Sequence, residues 1–137
     1  MPYELHTSPE TIELSVSAPS REELFRAALA GVLEAAYGAN PPEGTGVGRV
    51  VPVQASAGDD EALLVELLDD VLRAARDEKG TLQPPRWLAF DERRVTATLP
   101  VTLPGANARP IEASSAEIAR GETGWTARVE FLPPSAG

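Results

Sequence analysis

One histidine, His6, lies in the stretch Glu4-Leu5-His6-Thr7-Ser8-Pro9-Glu10-Thr11-Ile12-Glu13-Leu14, with carboxylates at Glu10 and Glu13 close by. An imidazole exchanges protons near neutral pH and ligates metals, but a single one without a second histidine makes no zinc spacing. The competing reading is a strand-end histidine satisfied by hydrogen bonds. Acids from separate segments, here Glu10, Glu13, Glu66, Asp69 and Asp70, are the donor type that holds calcium or magnesium. No local calcium loop ties them together, so solvated acids are the alternative.

Other chemistries lack their parts. The chain has no cysteine, which removes thiolate nucleophiles, thiolate zinc sites and disulfides. It has no G-x-S-x-G elbow, and "GTGVGR" at Gly44 to Arg49 precedes a strand instead of opening a phosphate-binding helix. An enzyme is not expected. The net charge of -9 sets twelve Lys and Arg against twenty-one Asp and Glu. Nucleic-acid binders draw affinity from neutralised phosphates, so direct binding to nucleic acid is not expected.

The elements that must position these groups follow from periodicity. Ile12, Leu14 and Val16 alternate with polar residues, as in a strand with one wet face. Pro9 removes a ladder donor, which makes "HTSP" a strand-entry loop. Ser20-Arg21-Glu22-Glu23 is a capping box. The helix it opens has an apolar stripe of Leu24, Phe25, Ala28, Leu29, Val32, Leu33 and Ala36, and it stops at Gly38. Arg49 to Ala55 reads as an edge strand because of Pro52. Asp59 or Asp60 caps a second helix carrying Leu64, Leu67, Leu68, Val71, Leu72 and Ala75, ended by Gly80, with Asp69 and Arg73 spaced to pair. Two hairpins follow, one from "RWLAF" to "RVTATLPV" and one from Ile111 to Phe131 about the turn "RGETG".

The expected fold class is α+β, with two helices packed on one face of a mixed, mostly antiparallel β-sheet, in one domain over residues 1–137. No apolar run approaches the roughly 18 to 20 residues of a membrane span, and no basic-then-apolar leader stands at the start. A soluble, cytoplasmic protein is expected.

Four segments in order, "HTSPETIELSV", "SREELFRAAL", "EALLVELLDDVL" and "GWTARVEFL", resemble the archease family across nearly the whole chain. His6 and Thr7 match the family's opening pair, and Asp69-Asp70 fall on the polar-acidic pair of its second helix. Pro9 replaces the opening aspartate, or an insertion places Glu10 or Thr11 nearest to it; Leu132 stands where the last strand has an aspartate. The resemblance implies a protein cofactor of the tRNA-splicing RNA ligase that joins 3'-phosphate to 5'-hydroxyl ends, promoting guanylylation and repeated turnover. It also implies an acidic edge, formed here by His6, Glu10, Glu13, Asp69 and Asp70, that meets the ligase. Glu10, Asp69 and Asp70 would hold a divalent metal, calcium or magnesium. A diverged interaction or chaperone protein without ligase activation is the alternative.

Overall fold

The computed structural model describes residues 3–7, 11–38, 45–77, 80–85, 88–91, 93–103, 111–122 and 124–132. The elements in chain order are β1 (Tyr3–Thr7), β2 (Ile12–Ala18), α1 (Arg21–Tyr37), β3 (Thr45–Ser56), α2 (Asp60–Asp77), β4 (Thr81–Leu82), β5 (Leu88–Phe90), β6 (Arg94–Leu103), β7 (Glu112–Gly121) and β8 (Gly124–Leu132). The class is α+β, with two helices and antiparallel strand pairings, and the strands divide between two sheets. The first has the order β1-β2-β8-β7; the second has β3-β6-β4, with β5 also paired to β6.

Period-two patterning decides which side of the first sheet is dry. Leu5, Leu14, Val129 and Ala116 form one inward row, and Tyr3, Val16, Ala127 and Ile118 another. Ile12 pairs with Phe131, and both are buried. His6 and Thr7 belong to β1 and face Glu13 and Ile12 on β2, which corrects the loop reading for these two residues. Ser8 and Pro9 lie outside the described residues. The period-two signal in Tyr3 to Thr7 is only five residues long, and Pro9 shortly after it argued for a loop. The brief β4 carries no alternation and was likewise invisible in the sequence.

A bulge keeps β7 in phase. The register moves from Ala113 opposite Phe131 to Ser115 opposite Glu130, leaving Ser114 as the extra residue. Its hydroxyl donates to the Glu130 carbonyl at 3.0 Å. Inward positions therefore change parity, from Ile111 and Ala113 to Ala116 and Ile118.

Ser20 caps α1 by accepting from the Glu23 N–H at 3.2 Å. The Glu23 carboxylate meets the Ser20 hydroxyl at 3.4 Å, in place of the backbone N–H of a full capping box. Gly38 ends the helix at φ 92°, its N–H donating to the Glu34 carbonyl at 2.7 Å. The whole predicted stripe is buried, together with Ala27, Gly31 and Ala35, so α1 is covered on most sides. Gly31 is required where it stands: a Cβ there would lie 2.6 Å from Leu14 Cδ1 on β2. Asp59, not Asp60, caps α2, its carboxylate accepting from the Ala62 N–H at 2.7 Å. Among the described residues β3 pairs with β6 alone, which fits Pro52 to an edge strand.

One continuous core joins both sheets and both helices. Leu14, Leu24, Phe25, Leu64, Leu68, Leu99 and Phe131 are among its fully buried side chains. Each contributes at most about 1.5–3 kcal/mol, since the unfolded chain already hides part of its surface. Arg21 ties three elements at one end. It donates to Asp60 on α2 at 2.7 Å and lies 4.9 Å from the Phe90 ring centre, while Phe90 packs edge-on against Phe25 at 5.2 Å. No helix among the described residues is long and apolar enough to cross a membrane.

Candidate functional site

The sequence-predicted acids fall into two places. Glu13 projects from the wet face of the first sheet, where Arg128 Nε reaches it at 3.4 Å. His6 stands opposite Glu13 on β1, and its Nε2 is 3.6 Å from Glu4. Glu10 lies outside the described residues.

Asp69 and Asp70 are on α2, and their carboxylates are already engaged with two different strands. Asp69 accepts from the Ala113 N–H of β7 at 2.8 Å. Asp70 accepts from the Gln54 N–H of β3 at 3.0 Å and takes Arg73 at 3.4 Å, so the ion pair expected between Asp69 and Arg73 falls on Asp70. In the first turn of the helix, Glu61 accepts from the Ile118 N–H of β7 at 2.9 Å. Ala113 and Ile118 are five residues apart, and in an unbroken strand their N–H groups would point to opposite edges. The bulge at Ser114 turns both toward α2.

β3 and β7 are outer strands of their sheets, with a row of backbone donors left over. α2 lies against both and supplies the missing acceptors. Burial pushes the Asp69 carboxyl above its ordinary value, more than the Ala113 hydrogen bond lowers it; Glu112 adds to the rise, and Arg73 and Arg76 oppose it.

The structure thus sets His6 opposite Glu13 in the β1–β2 register and commits Asp69 and Asp70 to backbone donors on separate strands. Among the described residues no group of three or more His, Cys, Asp or Glu is placed to hold a cation. Asp69 and Asp70 do not form a cation cage with any other described acid.

Sequence reasoning missed most of the acidic surface. Outward rows of the first sheet run His6, Glu13, Glu130, Ser115 and Glu4, Ser15, Arg128, Glu117 across β1, β2, β8 and β7. Glu13 and Glu130 are directly opposed, an arrangement of like charges that destabilises a sheet. An open hollow of about 520 Å³ is lined by Glu13, Glu61, Glu117 and Glu130 together with Arg128. A neighbouring one of about 740 Å³ adds Glu4, Ser15, Ser17 and Thr126. The signal was present in the alternation of Arg128 and Glu130 along β8 and of Glu117 along β7, which fixes them to the wet side. Their convergence with Glu13 depends on strand order, which periodicity does not encode.

No protein-family model matches the chain, and no curated protein matches it.

Proposed function

We propose that the chain is an archease-like protein cofactor of a tRNA-splicing RNA ligase, acting in the cytoplasm on guanylylation and multiple turnover, with no reaction of its own. The observation that carries the reading is the acidic outer face of the first sheet. Glu13 faces Glu130 there at a cost in sheet stability, and Glu61 and Glu117 line the same hollow with Arg128 as its cation. Local rules are broken most often where function requires it. A face of this sign suits a basic protein surface, such as one built to handle RNA phosphates, by speeding encounter and setting register. The four family-like segments, in family order, support the same partner.

Within this reading, contact with the ligase belongs to Glu13, Glu117 and Glu130, with His6 at the margin. Asp69 and Asp70 position α2. The test adds the purified chain to the ligase of its own organism and counts ligation events per enzyme molecule. The triple substitution Glu13→Gln, Glu117→Gln and Glu130→Gln should abolish the gain in turnover while circular dichroism and melting remain those of a folded chain. A wild-type chain that leaves turnover unchanged would refute ligase activation.

The second reading, an interaction protein without ligase activation, has its own support. Asp69 and Asp70 are engaged with backbone donors, and the partly exposed Leu132 offers no carboxylate at the end of β8. It predicts capture of a basic partner by the same face with no change in ligation.

A further inference from the structure

We propose that β1 is a dimerisation strand, pairing antiparallel with β1 of a second copy about a twofold axis at Leu5. The first sheet has two outer strands. β7 is covered by the carboxylates of Glu61 and Asp69, whereas among the described residues no strand pairs with the outer side of β1. Among the described residues its side-chain polar contacts are Tyr3 to Glu34 on α1 and His6 to Glu4 within the strand itself. A strand left with free backbone donors and acceptors is a template for another strand.

The sequence of β1 selects its own copy as occupant. In an antiparallel pair centred on Leu5, Glu4 of each copy lies opposite His6 of the other, and Tyr3 lies opposite Thr7. The acceptor and donor side chains are thus matched twice by symmetry, as an isologous interface requires. Glu4 and His6 are available for this, at 74% and 63% side-chain exposure. Leu5 points to the core side but is only half-buried, and among the described residues no strand flanks it at the sheet margin. A second Leu5 would supply that neighbour. The joined sheet would have eight strands and continue the acidic rows through Glu13 and Glu130 across the axis.

Sedimentation equilibrium of the full chain over a wide concentration range tests the pairing. The wild type should show a monomer–dimer equilibrium. His6→Glu sets like charges opposite one another twice and should weaken dimerisation roughly tenfold. The exchanged variant Glu4→His with His6→Glu should restore it, because the match is re-formed with its sense reversed. Because the chain has no cysteine, Leu5→Cys provides an independent readout. Directly opposed residues of antiparallel strands have Cα atoms about 4.5–5.5 Å apart, within the span of a disulfide. Mild oxidation should link Leu5→Cys chains far faster than Ser17→Cys chains, which carry their thiol on β2. A wild type that stays monomeric at every concentration, a dimer indifferent to His6→Glu, or equal cross-linking at the two positions would each overturn the proposal.

Discussion

The clasp between α2 and β7 makes a quantitative prediction at Asp69. Replacing it by alanine removes the acceptor of the Ala113 N–H, a bond of 2.8 Å to a residue that is 7% exposed. An unpaired buried donor costs about 1–3 kcal/mol. Alanine returns up to about 0.7 kcal/mol in helix propensity. The expected net loss is about 1–2 kcal/mol. Asparagine keeps a carbonyl oxygen at the same place and discards the charge, so Asp69→Asn should stay within about 0.5 kcal/mol of the wild type.

The two variants also separate in pH. Burial raises the Asp69 carboxyl, so the folded chain holds that proton more tightly than the unfolded chain. The resulting stabilisation is complete below the unfolded carboxyl value of about 3.9 and is lost as pH rises through the raised folded value. Asp69→Asn lacks this dependence, so its stability relative to the wild type should be most favourable at pH 7 and decline on acidification. Urea unfolding of all three chains at pH 7 and pH 4 gives the comparison. If Asp69→Asn costs as much as Asp69→Ala at pH 7, the negative charge and not the acceptor oxygen holds β7, and the reasoning fails.

Three further outcomes follow from other contacts. Ser20→Ala deletes the acceptor for the Glu23 N–H and should cost about 0.5–2 kcal/mol in urea unfolding. Arg21→Lys keeps a charge near Asp60 but loses the guanidinium's cation–π contact with Phe90 and its two N–H bonds to one carboxylate oxygen. A melting point lowered by several degrees, corresponding to about 1–2 kcal/mol, is expected for a domain of this size. Gly124 has φ 146°, and a Cβ there would lie 2.6 Å from the Ala18 carbonyl oxygen, so Gly124→Ala should destabilise by about 1–3 kcal/mol, visible as a lower urea midpoint.

The helices were the most legible elements, because a run such as Leu64, Leu67, Leu68, Val71 and Leu72 leaves few other ways to hide its apolar side. The two late hairpins were equally plain from Val95, Ala97 and Leu99 and from Ala127, Val129 and Phe131. What escaped was everything set by pairing. The assignment of β3 and β6 to a sheet separate from β2 and β8 depends on which strands meet, and both arrangements satisfy the same alternation. The same limit applied to the acids. Asp69 and Asp70 are adjacent in sequence, but on a helix neighbouring side chains diverge by about 100°, so one reaches β7 and the other β3. Glu13, Glu117 and Glu130 are far apart in sequence and converge only because β2, β8 and β7 lie side by side.

A single helix whose acids grip the margins of both sheets also determines how the molecule comes apart. The amide protons of Gln54, Ala113 and Ile118 are all held by carboxylates on one rod, which ties the opening of each strand margin to the same helix. In deuterium exchange the three should therefore lose protection together, at a rate set by the lifting of α2, so that two layers with separate ladders melt as one cooperative unit.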